Sequence, residues 1–420
     1  MIARALLPLV VLAAALAPAG TTAGPAVYSG TITFAGAEPS DVSLRIVGDS
    51  VTVMLGPGHV AQAQVTLRRA NGALRFAAPG LPKPLVFVLR PKGTHLVGTA
   101  VQGSGRAKVT VTRGRVGPDT TLGYYATPHV EITRFTRFGF STRPLAIDAD
   151  TGAFESPPPS GRRLDVHQFE VRIPAAGAVL AGTLTVPPGP GPHPALVYVS
   201  GSGPTLREES HWLDGVFVSR GIAVLSYDKR GNGQSSGNYP GDLATPGTIA
   251  TLAGDAVAAA RFLAAQTDID SSRIGLVGFS QGGWIVQQAA VRAGKVVSWA
   301  VEESGPTVTQ AEADAYASYV ASGMSLAAAE AKARALEGIG YDPLPWIRRL
   351  GIPVLWLYGG KDRAEPPQRS MEILRGLSAG HDFTISYYPD APHGLLDAAG
   401  FPSGLFGAVR EWLGAHRLDG

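Results

Sequence analysis

The chain has 420 residues, long for a single core, so two or three domains are expected. Its 36 basic and 33 acidic residues leave a net charge of +3 with no run of like charge, which gives nucleic-acid binding no electrostatic support. Gly (53) and Pro (33) are abundant but aperiodic beside a 45% hydrophobic content, which excludes collagen-like and disordered chains, and the absence of Cys excludes disulfides, thiolate zinc sites and a thiol nucleophile. At the start, Arg4 precedes an apolar stretch, Ala5 to Ala17, broken only by Pro8 and followed by the small residues Ala19 and Ala23. This pattern predicts a secretory signal peptide over residues 1–23, removed after Ala19 or Ala23. The stretch is shorter than the roughly 20 residues that cross a bilayer, and no later segment is long and apolar enough. An exported protein, periplasmic or secreted, with no membrane span after signal removal is the expectation.

Residues 24–115 read as a small all-β domain, barrel or sandwich. Val42, Leu44 and Ile46, then Val51, Val53 and Leu55, alternate about the turn residues Gly48 and Asp49 and predict a hairpin. A second turn is signalled by Asn71-Gly72, and Leu85 to Leu89, His95 to Val101 and Ala107 to Thr112 add further short strands. Residues 116–163 read as a connecting segment ending in the stiff run Ser156-Pro157-Pro158-Pro159-Ser160-Gly161, where the domain boundary is expected.

Over residues 164–420 strand and helix alternate. Val166 to Ile173 and Val179 to Val186 predict a leading hairpin. Continuous apolar runs follow at Ala195 to Val199, Ile222 to Tyr227, Ile274 to Val277, Val296 to Val301, Val354 to Leu357 and Phe383 to Tyr388. The stripe Ile249, Leu252, Ala256, Ala259, Leu263 marks one amphipathic helix between them. Buried strands covered by helices predict a doubly wound, mainly parallel sheet, with its chemistry at the carboxyl ends of the strands.

The pattern G-x-S-x-G occurs three times, around Ser235, Ser280 and Ser378, and context separates them. The first lies in a polar loop and the third at a helix tail. Only Gly278-Phe279-Ser280-Gln281-Gly282 stands between a strand and a helix, the turn that lifts a serine hydroxyl above a sheet edge. Ser280 is therefore the candidate nucleophile. It needs a base, and His393, in the loop after the last strand, is best placed of the nine histidines; His211 is the nearest competitor. Asp362, past the strand Val354 to Leu357, is the acid expected to orient the imidazole, with Glu302 and Glu303 as fallbacks. The order Ser, Asp, His fits this sheet type. Asp390 reads as a turn residue, and Asp228 with Arg230 as an internal ion pair. An oxyanion needs two backbone donors: the N–H of Gln281, and that of Ser202 in Ser200-Gly201-Ser202-Gly203-Pro204, with Gly203 as the alternative.

Tyr198 to Pro204, Ile222 to Ser235, Asp270 to Gly283, Gly359 to Asp362 and Pro392-His393-Gly394 together resemble the serine-dependent α/β-hydrolase superfamily, and within it the dienelactone-hydrolase-like and bacterial carboxylesterase (EstD-type) branch. The resemblance covers about residues 166–420 and implies ester hydrolysis through an acyl-enzyme, with Ser280, Asp362 and His393 at the catalytic positions. Many relatives carry His where this chain has Ser200. The Ala-rich insertion at about 305–350 looks like a helical cap; Tyr316, Tyr319, Tyr341 and Trp346 either line an acyl site or pack on the sheet. The reading is a serine ester hydrolase acting on a small-molecule ester without metal or organic cofactor, its oligomeric state left open. A serine peptidase related to prolyl oligopeptidase or an acyltransferase is the alternative, and a noncatalytic binding protein the more distant one.

Overall fold

The computed structural model describes residues 26–34, 40–55, 61–78, 84–113, 125–126, 130–136, 144–148, 154–155, 162–163, 166–207, 216–396 and 400–419. The expected signal segment, the Pro-rich run 156–161 and His211 lie outside these residues.

The alternating pattern near the N-terminus builds an antiparallel meander. Its strands are β1 (Ala26–Phe34), β2 (Ser40–Val47), β3 (Ser50–Leu55), β4 (Ala61–Thr66), β5 (Arg68–Ala70), β6 (Ala73–Ala78), β7 (Leu85–Lys92), β8 (His95–Gln102) and β9 (Gly105–Arg113). They pair in the order β4-β3-β2-β1-β9-β8-β7-β6-β5. The two ends of that order, β4 and β5, are one stretch of chain interrupted only at Leu67, so consecutive residues join the opposite edges of the sheet. Asn71 and Gly72 both take positive φ, 50° and 69°, as a two-residue hairpin turn demands. The inward residues fill the interior: Val42, Leu44, Val51, Phe87 and Leu89 are buried, and Phe76 stacks on Phe87 with centroids 4.7 Å apart.

The segment expected only to connect contains strands of its own. β10 (Tyr125–Ala126), β11 (Val130–Thr136), β12 (Pro144–Asp148), β13 (Phe154–Glu155) and β14 (Arg162–Arg163) form an antiparallel sheet ordered β13-β12-β11-β10-β14. Four of the five have five residues or fewer, too short for a period-two pattern to stand out in the sequence.

The third sheet carries the candidate site. β15 (His167–Ala175) and β16 (Ala178–Val186) form the expected hairpin, followed by β17 (His193–Val199), β18 (Ala223–Tyr227), β19 (Ile269–Phe279), β20 (Trp299–Glu303), β21 (Val354–Gly359) and β22 (Phe383–Tyr388). The order is β15-β16-β18-β17-β19-β20-β21-β22; β15/β16 and β16/β18 are antiparallel and all later pairs parallel. Because the chain steps from β17 out to β18 and then back across to β19, the loops after β17 and β19 meet at one edge. That reversal is where open α/β sheets form their crevice.

Helices cover both faces. α1 (Pro246–Ala264) begins at Thr245, whose hydroxyl accepts from the Thr248 N–H, and buries the predicted stripe Ile249, Leu252, Ala256, Ala259 and Leu263. α2 (Gln281–Ala293) packs beside it on the same side of the sheet. The insertion between β20 and β21 is helical, with α3 (Gln310–Ala321), α4 (Leu326–Ala333) and the short α5 (Leu344–Ile347). α6 (Pro367–Leu377) and α7 (Leu405–Ala415) complete the fold, and Trp412 of α7 meets Trp299 edge-on on the opposite face. Among the described residues, no helix is long and apolar enough to cross a membrane.

Candidate active site

β19 runs straight into Ser280, which adopts φ 53°, ψ −122° and forms the N-cap of α2. A non-glycine residue at positive φ is strained by about 1–3 kcal/mol and persists only where its surroundings enforce it. Here they do: the Ser280 N–H donates to the Glu303 carbonyl at 3.0 Å, and the Gly283 N–H to the Ser280 carbonyl at 2.8 Å. The turn also needs its two glycines. A Cβ on Gly282 would lie 2.2 Å from the Val199 carbonyl oxygen, and one on Gly278 2.7 Å from that of Gly282. The two rival serines have structural hydroxyls. Ser235 is buried and donates to the Asp228 carbonyl (2.6 Å) while accepting from the Ala181 N–H (2.8 Å); Ser378 Oγ donates to the Arg375 carbonyl at a helix end.

Asp362 and His393 meet across the edge formed by β21 and β22. His393 Nδ1 lies 2.8 Å from Asp362 Oδ2, and the other carboxylate oxygen accepts N–H bonds from Ala364 (2.8 Å) and Glu365 (2.9 Å). Asp362 is fully buried, so these bonds both satisfy its charge and fix its rotamer. The imidazole rests on Phe279, ring centroids 5.1 Å apart, and so stands beside the residue that precedes Ser280. The Ser280 hydroxyl and His393 Nε2 have no hydrogen-bond partner among the described residues. What links them in the structure is Phe279, which precedes Ser280 in the chain and carries the His393 ring.

Ser304, which sequence reasoning did not place, and Tyr316 and Tyr341, which it left between an acyl site and packing on the sheet, hold this arrangement. The Gly394 N–H donates to Ser304 Oγ at 3.2 Å, which fixes the backbone after the histidine. Tyr316, buried on α3, donates to the Asp362 carbonyl at 2.6 Å, and Tyr341 donates to the Trp284 carbonyl at 3.3 Å. These two aromatics of the insertion therefore pack and brace. Tyr319 and Trp346 instead stack with Lys332 and Arg349. Partners from a different strand crossover leave no local spacing signal, so nothing in the sequence announced these bonds.

The remaining acids have other work. Asp228 does not pair with Arg230: its carboxylate binds Arg207 through Nε (3.1 Å) and a terminal nitrogen (3.2 Å), while Arg230 binds Asp255 at 2.5 and 2.7 Å. Both residues lie past the end of β18, where the chain turns at Gly231 (φ 74°), and each finds its partner on another segment, Asp228 on the loop after β17 and Arg230 on α1. Asp390 makes an exposed ion pair with Lys361 at 2.7 Å. Glu302 is buried against Gly283 and Gly305 with neither oxygen hydrogen-bonded among the described residues, and burial holds its carboxyl well above the usual carboxylate range.

Burial pushes the Glu303 carboxyl up to about 8 from 4.5. Between those values the folded protein keeps a proton that the unfolded chain releases, so this group makes stability fall as pH rises from 4.5 to 8. Glu303→Gln is expected to raise the melting temperature at pH 8 and to change it much less near pH 5. Equal shifts at the two pH values, measured by thermal denaturation, would contradict the assignment.

On the oxyanion side, the loop after β17 lies against the elbow: a Cβ on Gly201 would stand 3.3 Å from Ser280 Cβ. The Gly203 N–H is consumed, donating to Asp242 Oδ1 (2.9 Å) and to the Tyr239 hydroxyl (3.2 Å). The Ser202 N–H has no partner among the described residues. Gln281 anchors the same wall through its side chain, which donates to the Asp242 carbonyl at 2.7 Å, while its own N–H lies in the first turn of α2, where backbone donors point outward. Among the described residues, no group of three or more His, Asp and Glu side chains is placed to hold a metal ion.

Sheet order and a strained serine between strand and helix give the described residues a fold of the α/β-hydrolase type. The sequence pattern of the prolyl oligopeptidase family matches residues 209–403. The esterase EstD of Thermotoga maritima is 25% identical over 252 residues, covering 53% of this chain; the chain spans 59% of that relative's length. Among solved structures, the acylaminoacyl peptidase of Pyrococcus horikoshii shares the fold, with a TM-score of 0.50 and 14% identity over 91% of this chain and 70% of its own. An esterase of Pyrococcus furiosus matches at TM-score 0.47 and 20% identity, over 59% of this chain and 91% of its own.

Proposed function

We propose that the protein hydrolyses small carboxylic esters through an acyl-enzyme. The observation that carries this reading is the buried Asp362 carboxylate bonded to His393 Nδ1, with the ring laid against the strand end that presents Ser280. Asp362 accepts a hydrogen bond from Nδ1–H, which keeps the proton on Nδ1 and so leaves Nε2 as the basic nitrogen. His393 takes the Ser280 proton as Oγ attacks the carbonyl carbon, and the carbonyl oxygen becomes an oxyanion facing the N–H groups of Gln281 and Ser202. Collapse expels the alkoxide, which receives that proton and leaves as the alcohol. Water then attacks the acyl group, giving its proton to His393; the second collapse returns the proton to Ser280 Oγ and releases the acid.

The chemistry needs no metal or organic cofactor, since imidazole supplies the base and backbone dipoles the charge stabilisation. The resemblance to EstD supports an ester substrate, and the match to the prolyl oligopeptidase family supports a peptide as the competing one. The test is a comparison of p-nitrophenyl esters with p-nitroanilides carrying the same acyl group. A kcat/KM far greater for the esters, with a burst of nitrophenol from acyl-enzyme formation, is expected. Preferential cleavage of the anilides would overturn the proposal in favour of a peptidase.

A further inference from the structure

We propose that Lys229 is a positioning residue for the oxyanion site, its ammonium orienting and polarising the Gly201–Ser202 peptide whose N–H faces the developing charge. This rests on the ester-hydrolase reading above and extends it to a residue that acts through the loop after β17.

Lys229 stands just past the end of β18 and is only 3% exposed, an unusual place for an ammonium group. A buried cation requires bonded partners, and Lys229 Nζ donates to the Gly201 carbonyl. Its main chain is tied to the same loop, the Lys229 N–H donating to the Thr205 carbonyl at 3.1 Å. The Tyr239 ring lies 5.8 Å from Nζ on another side.

The chemistry follows from the geometry of one amide. In a trans peptide the C=O and the N–H point in opposite directions. Securing the Gly201 oxygen on Lys229 therefore aims the Ser202 N–H away from the lysine. Gly201 is the residue whose missing Cβ lets this peptide lie beside Ser280. The next donor along, Gly203 N–H, is already held by Asp242 and Tyr239. The loop is thus clamped on both sides, and the N–H between the clamps is the one with no partner among the described residues. A cation bonded to an amide oxygen draws electron density from the nitrogen and makes its N–H a stronger donor. That gain grows as the substrate oxygen acquires charge, so it belongs to the transition state more than to substrate binding.

The test uses the full chain with p-nitrophenyl acetate, a boronic acid as tetrahedral analogue, and a fluorophosphonate label for Ser280. Removing an oxyanion donor costs about 10²–10³ in kcat, so weakening one by Lys229→Met is expected to cost on the order of 10–100-fold. KM should stay within about twofold, and boronate affinity should fall in step with kcat. Lys229→Gln, which keeps a donor without the charge, serves if the Met variant does not fold, and should also lose kcat. Lys229→Arg should recover part of it. A kcat within about threefold of wild type in Lys229→Met or Lys229→Gln overturns the proposal. So does a loss shared between KM and melting temperature with no recovery by Arg, the pattern of a merely structural lysine. Labelling separates the two readings: if Ser280 is labelled in wild type and in the Lys229 variants but Ser280→Ala is not, the nucleophile stands whatever the fate of Lys229. Failure to label the wild type overturns both.

Discussion

Replacing Ser280 by Ala is expected to lower kcat for p-nitrophenyl acetate by about 10⁶-fold, the loss seen when one member of an interdependent triad is removed. The fold should survive the change. Ala keeps the Cβ and therefore the same backbone strain at φ 53°, and the deleted hydroxyl has no hydrogen-bond partner among the described residues. Stability should accordingly stay within about 0.5 kcal/mol of wild type, as for substitutions that strand no group. Kinetics and a denaturant titration on the same preparation check both statements. Turnover close to wild type would remove Ser280 from the mechanism; a collapse in stability would show that the hydroxyl braces the elbow instead.

The second large effect is expected from Asp362→Asn, about 10⁴-fold in kcat, by inversion of the histidine tautomer. Asp362 Oδ1 receives two main-chain N–H bonds, from Ala364 and Glu365, and Oδ2 faces His393 Nδ1. An asparagine in this setting must keep its oxygen on the two N–H donors, because turning its NH₂ toward them would oppose donor to donor. The NH₂ then points at Nδ1, which has to accept. The ring proton moves to Nε2, and the nitrogen that should take the serine proton now carries one of its own. Asp362→Ala should lose comparable activity and, unlike Asn, also stability, about 1–3 kcal/mol, because two half-buried N–H groups lose their acceptor. Similar melting temperatures for the Asn and Ala variants, or wild-type turnover in Asn, would contradict this account.

The two substitutions differ in how far their reasons could be read beforehand. Ser280 was legible because its signal is local: a strand, a turn that tolerates only small neighbours, and a helix follow one another within a few residues. Asp362 and His393 were legible by position, each lying just past a parallel strand. The two N–H bonds that make Asp362→Asn informative lie within three residues of it, but the turn that forms them has no distinctive composition.

The expected Asp228–Arg230 pair failed for the complementary reason. Its members take partners 21 and 25 residues away, Arg207 and Asp255, which only the crossovers around β18 bring near. The Tyr316 brace on Asp362 and the Lys229 bond to Gly201 are likewise contacts between segments far apart in the sequence.

The sequence by itself determined the alternation of strand and helix, the one serine whose flanking residues permit a strained elbow, and the strand ends from which a base and an acid would emerge. Those follow from side-chain period and backbone sterics, which act over a few residues. Tertiary structure alone decided which buried charges pair and which contacts hold the loop after β17 in place. The reason is that the β17–β18–β19 reversal, not proximity along the chain, selects the loops that share the sheet edge.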